Sequence, residues 1–198
     1  MDTINGENGE SINIEDELVM IPSSISPTVY LVILALMTAL TTVATIVFVI
    51  PFPSTAGYFN LGDAMVMISG ILLGPAGGFI AGGFGSAMGD VALGYFPYAP
   101  ITFVVKGGEG LIVGLASRYV KNSITAKPLD LLGVILGAGV MLLGYFLGEV
   151  LLLSYSVEVA LLELITINSI QVIMGGIIAL IVGPLLRNFL RNYLTGSN

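Results

Sequence analysis

The 198-residue chain contains no cysteine, no histidine and no tryptophan, and only 10% of its residues are charged. Without cysteine there is no disulfide frame, no thiol nucleophile and no thiolate metal site. Without histidine the commonest catalytic base and metal ligand is missing as well. Scarce charge together with 56% hydrophobic residues and a mean hydropathy of +1.00 excludes an ordinary soluble domain. The chain reads as an all-α, polytopic protein of the lipid bilayer. No cofactor, no metal and no nucleic-acid partner is expected. Gly74-Pro-Ala-Gly-Gly78 lacks the lysine and hydroxyl residue of a phosphate-binding loop, and no obvious repeat divides the chain into inverted halves.

The net charge of −7 is concentrated at one end. Six acids, from Asp2 to Glu17, fall in the first twenty residues, so the rest of the chain holds seven acids against six bases. That segment has no basic start and no early apolar run, unlike a signal peptide. Residues 1–24 are expected to be a mobile, solvated cytoplasmic tail. Residues 25–193 then form the membrane domain and 194–198 a short C-terminal tail.

A membrane helix needs about 20 apolar residues, fewer where protein or a cavity shields it. Six spans are expected. Thr28–Ile50 is the first, with Pro27 in its opening turn. Asp63–Leu73 is short and stopped by Gly74-Pro75, and Ala76–Leu93 follows as a glycine-dense third. Tyr98–Val120 is interrupted by Lys106, Gly107, Gly108 and Glu109; Leu129–Leu153 carries Glu149; Ile165–Leu186 opens with Asn168 and Gln171. Residues 154–163 are a moderately polar connection. Apart from Lys106, every base lies in the 118–127 loop or after the last span. The positive-inside rule therefore places both termini and that loop in the cytoplasm, with loops 51–60, 94–97 and 154–163 outside.

This topology gathers the polar side chains in the outer half. An ionisable group costs on the order of 3 kcal/mol at mid-helix and usually faces a bundle interior or a watery cavity. Asp63, Asp90, Lys106 and Glu109 within one glycine-rich region therefore imply a polar cavity. Lys106 lies roughly 12 Å below Tyr98 along its helix, with Glu109 a turn deeper on the same face. The inner half has no matching set, so the pocket opens outward over a largely apolar floor.

Each candidate has two roles open to it. Tyr58, Tyr95 and Tyr98 either stack on a flat heterocycle or anchor the interface. Asn60 touches ligand or caps the second span, and Asp63 reads as such a cap. Lys106 requires an acid beside it, with Glu109, Asp90 or Glu149 available; it holds the helices together or grips ligand. Glu149, Asn168 and Gln171 reach the pocket or link helices. Ala35 and Ala39, four apart on the first span, form a small-residue face for a partner helix or for internal packing. The readings that compete are a capture subunit, a self-sufficient secondary transporter built on Lys106 and Glu109, and an enzyme using Asp63 with Asp90 or Ser86 with Lys106.

Several strings resemble the S components, the substrate-binding subunits of energy-coupling factor (ECF) vitamin transporters. They are Tyr58-Phe-Asn-Leu-Gly-Asp63, Leu73-Gly-Pro-Ala-Gly-Gly78 with the glycines through Gly85, Gly94-Tyr95 with Tyr98-Ala-Pro100, and Lys106-Gly-Gly-Glu-Gly110. The resemblance covers most of residues 28–190. It implies a six-helix bundle with both ends cytoplasmic, and a vitamin or precursor enclosed by the first loop and the outer ends of helices four to six. It also implies a transmembrane coupling subunit docked at Ala35 and Ala39, and two ATP-hydrolysing subunits on other chains. The strings look most like members that carry hydroxymethylpyrimidine, pyridoxine or riboflavin-type cargo. The tryptophan stacking of thiamine-type members has no counterpart here.

Overall fold

The computed structural model describes residues 3–5, 11–13, 26–51, 58–120 and 123–195. Most of the expected acidic tail, the 52–57 part of the first loop, Lys121 and the last three residues lie outside these. Within the N-terminal stretch, Thr3–Asn5 (β1) pairs antiparallel with Ser11–Asn13 (β2).

Helix α1, Pro27–Val47, starts where the Ser26 hydroxyl accepts the Val29 amide at 3.3 Å and proline takes the first turn. A short antiparallel pair follows, Ile50–Pro51 (β3) with Tyr58–Phe59 (β4). The two spans expected at 63–73 and 76–93 form one helical run, α2, Gly62–Leu93, broken at Gly74. Pro75 lacks an N–H and forces its predecessor out of the helical region, and Gly74 takes a left-handed φ of 72° at no steric cost. The run turns back on itself there. A β-carbon on Gly82 would meet Val66 Cγ1 at 2.9 Å, and one on Gly78 would lie 2.8 Å from Gly70 Cα. In a straight helix those pairs would be roughly 24 and 12 Å apart.

Helix α3 spans Ala99–Ser117 and α4 spans Pro128–Leu151. The connection expected at 154–163 is helical from Val157, because the Ser156 hydroxyl caps the Val159 amide at 3.4 Å. This helix, α5 (Val157–Glu163), runs through a single π turn at Leu164–Asn168 into α6, Ser169–Thr195. The last helical stretch therefore begins eight residues before the expected Ile165.

Packing is inside-out relative to a soluble protein. Leu36, Val104, Ile135, Leu147, Ile177 and Ile181 are exposed, whereas Asp63, Glu109 and Asp130 are fully buried. Such a surface suits lipid. Hydrophobic burial cannot drive helices together there, so backbones approach closely at small residues. A β-carbon at Gly70 would fall 2.6 Å from the Gly110 carbonyl oxygen, and one at Gly114 would fall 2.5 Å from Pro75 N. Helix α1 is held differently. Thr38, Thr41 and Thr45 return their hydroxyls to carbonyls four residues back at 2.8–2.9 Å, and Thr42 Oγ1 also donates across to the Gly85 carbonyl at 2.9 Å. At the far end of the bundle Arg187 clamps Asp130 with two bonds of 2.8 and 3.0 Å, fixing α6 to α4.

The glycine seam gives a direct prediction. Gly110→Ala, which forces α3 off α2, should lower stability by about 1–3 kcal/mol, the usual cost of overpacking. Gly139→Ala, where a β-carbon meets nothing within 4 Å, should be neutral or slightly stabilising. Thermal unfolding in detergent compares the two.

Candidate functional site

Opposite the Arg187 clamp, α2, α3, α4 and the α5–α6 stretch surround a polar cavity, and β4 closes part of its rim. Its one base among the described residues is Lys106, 2% exposed. The ammonium contacts the Asp63 carboxylate and lies 3.5 Å from Glu109 Oε2. Asp63, expected to cap the second span, is turned instead toward this partner 43 positions away. Gly175 makes room for it, since a β-carbon there would sit 2.6 Å from Asp63 Cβ. The Tyr145 ring lies 5.5 Å from the ammonium and adds its negative face. The Tyr145 hydroxyl is bonded in turn to Thr102 at 2.9 Å.

At the rim, the Tyr58 hydroxyl donates to Asp90 Oδ1, while Asp90 Oδ2 is buried with no hydrogen-bond partner among the described residues. Burial first, and then the adjacent Asp90 carboxyl, push the Tyr58 hydroxyl pKa up, so it remains a proton donor. Tyr95 stacks on Tyr58 with ring centroids 4.6 Å apart. Asn60 receives the Gly62 amide on its side-chain oxygen at 2.7 Å and gives its own amide to Gln171 Oε1 at 2.8 Å. Gln171 thus ties the rim to α6.

The third wall carries Glu149 from α4 and Glu163, Ile167, Asn168 and Gln171 from the last helical stretch. An α-helix repeats every 3.6 residues, and the wider π turn at Leu164–Asn168 re-phases the face between Glu163 and Gln171. Ser169 Oγ bonds the Leu164 carbonyl five residues back at 2.6 Å, occupying an acceptor inside the wider turn. Glu149 and Glu163 share this wall, and Glu149 Oε2 and Asn168 Nδ2 are buried without a hydrogen-bond partner among the described residues. The cavity has a volume of about 30 Å³, room for little more than a water molecule. A ring-sized ligand therefore has to spread the walls.

Of the residues singled out in the sequence, Tyr58, Asn60, Asp90, Tyr98, Lys106, Glu149, Asn168 and Gln171 line this one cavity. Tyr95 and Glu109 do not: Tyr95 lies behind Tyr58, and Glu109 is fully buried beside Lys106. Glu163, Thr102 and Tyr145 join the lining unforeseen. Only the helical reading of 157–163 could have found Glu163. The two carboxylates considered for catalysis are engaged elsewhere, Asp63 with Lys106 and Asp90 with Tyr58. Ser86 and Lys106 share the cavity without a hydrogen bond between them. Ala35 and Ala39 do not line it; they lie in an apolar surface groove with Leu31, Thr38, Ile80 and Met88.

Lys106→Met should destabilise the protein by about 3–5 kcal/mol, because two buried carboxylates lose their counter-charge. Adding Asp63→Asn and Glu109→Gln should recover much of that loss. Unfolding of the single and triple variants in detergent measures the difference.

The geometry can be set beside known proteins. Residues 26–188 match the family model of the ECF-type riboflavin transporter, S component. A thiamine precursor transporter, HmpT, of Lactococcus lactis subsp. cremoris is 31% identical over 157 residues, covering 79% of this chain and 86% of that protein. A Pyrococcus woesei protein described as an uncharacterized protein in gap 3'region is 47% identical over 104 residues, 52% of this chain and 67% of its own length. A buried polar cavity, a lipid-facing surface and a family match over nearly the whole membrane domain agree: this multi-pass membrane protein belongs to the family of ECF-type riboflavin transporter S components.

Proposed function

We propose that the chain captures a small water-soluble vitamin or vitamin precursor, of hydroxymethylpyrimidine, pyridoxine or riboflavin type, from outside the cell. The observation that carries this reading is a polar cavity walled by several helices at one end of a bundle whose middle is closed by glycine-to-backbone contacts. That is a receptacle, not a channel. ATP hydrolysis is assigned to two partner subunits, reached through a transmembrane coupling subunit, as the family resemblance implies. The distribution of bases and the reversal at Gly74 support six crossings with both termini in the cytoplasm. The cavity then faces outward, and the Asp130–Arg187 clamp lies at the cytoplasmic end.

Docking of the coupling subunit is assigned to the groove at Ala35 and Ala39, where small residues leave α1 open to a partner helix. α1 suits that task because most of its surface faces outward and its threonines already satisfy their own hydroxyls.

Native mass spectrometry of the purified full chain is expected to find a vitamin-like molecule retained in the cavity, and fragmentation names it. In liposomes the chain alone should not accumulate that solute, whereas addition of the coupling and ATPase subunits should give ATP-dependent uptake. Ala35→Leu with Ala39→Leu should weaken assembly by more than about tenfold, about 1.4 kcal/mol, with solute affinity unchanged. A folded protein that binds no vitamin or precursor would sink the proposal. Ion-driven uptake by the chain alone would favour a secondary transporter.

A further inference from the structure

Resting on the capture reading, we infer that the cavity selects a heterocycle that carries an amino group and no acidic group, with Glu149 and Glu163 as the pair that receives the amino end. The charge inventory is one-sided. Asp90, Glu149 and Glu163 line the space, and among the described residues Lys106 is its only base. Lys106 is already held by Asp63 and Glu109. It neutralises the depth of the cavity and has no charge to spare for an incoming phosphate or carboxylate.

Unused hydrogen-bonding capacity points the same way. Glu149 is 1% exposed and its Oε2 has no hydrogen-bond partner among the described residues, and the same holds for Oδ2 of the buried Asp90. A buried acceptor left unsatisfied is costly, and a ligand donor would recover that cost. Glu149 and Glu163 stand in one wall of the cavity, which adds a second feature. Carboxylate oxygens only accept, so the two groups together offer several acceptors to one ligand edge. That set matches the N–H groups of an amino substituent on a ring. Asn168 Nδ2, also buried and without a hydrogen-bond partner among the described residues, supplies one further donor for a carbonyl, hydroxyl or ring nitrogen. A negatively charged substituent would meet two carboxyls in a medium where charges are poorly screened.

The assignment is tested by calorimetry on the full chain in detergent with matched probes. These are 4-amino-5-hydroxymethyl-2-methylpyrimidine, its 4-hydroxy analogue and its monophosphate, then pyridoxamine, pyridoxine and pyridoxamine 5'-phosphate, with riboflavin alongside. In whichever series binds, the amino compound should bind at least about tenfold tighter than the hydroxy compound, and the phosphate at least about a hundredfold weaker. Glu149→Gln and Glu163→Gln should bring the amino-to-hydroxy ratio toward one while the melting temperature holds. The ratio on the unmodified chain decides the matter even where a variant fails to fold. Binding of riboflavin, pyridoxine or a phosphate ester without preference for the amino compound overturns this inference and leaves capture standing. Glutamine variants that fold and keep the full ratio overturn it too. Silence from every probe overturns both.

Discussion

One buried ammonium group sets the terms for this molecule. Lys106 is compatible with the interior only because Asp63 from α2 and Glu109 from its own helix lie against it. That requirement fixes how α3 lies along α2. It also fixes α6, whose Gly175 gives the room Asp63 needs. Removing charge from a membrane core is usually the safer course, since buried pairs seldom add net stability. Retaining it here places a charged floor beneath the cavity.

The glycines do complementary work. In lipid, cohesion comes from close contact and from satisfied polar groups rather than from expelled water. The seam through Gly70, Gly78, Gly110 and Gly114 supplies the first, and the threonine hydroxyls of α1 and the Arg187 clamp supply the second. The result is a bundle tight through its middle, with Tyr58, Asn60 and Gln171 forming the rim of the cavity at one end.

Much of this was legible because membrane proteins mark their interiors with misplaced polarity. Lys106, Asp90, Glu149 and Gln171 stood out against apolar surroundings, and all four line one cavity. Glycine and proline spelled out the break at 74–75. What stayed hidden was relational. Nothing local tells Asp63 to seek Lys106 rather than cap its own helix. Tyr95 has the same composition signal as Tyr58 but sits behind it. Glu163 looked like part of a polar connector because Ser154, Ser156 and Glu158 precede it. The capping bond of Ser156 converts that stretch into helix, and the π turn then brings Glu163 and Asn168 into one cavity wall.

That turn has an effect on how the sequence can drift. Each residue of an α-helix advances about 100° around the axis, so the extra residue near Leu164–Asn168 acts as a phase shift between two otherwise regular segments. Above it, Glu163 keeps the beat of the cavity; below it, Gln171 and Gly175 keep the beat of the rim and of α2. A one-residue deletion there would straighten the helix and send one of the two sets toward lipid. The spacing between Glu163 and Gln171 therefore cannot shorten by a residue without dismantling either the wall or the packing.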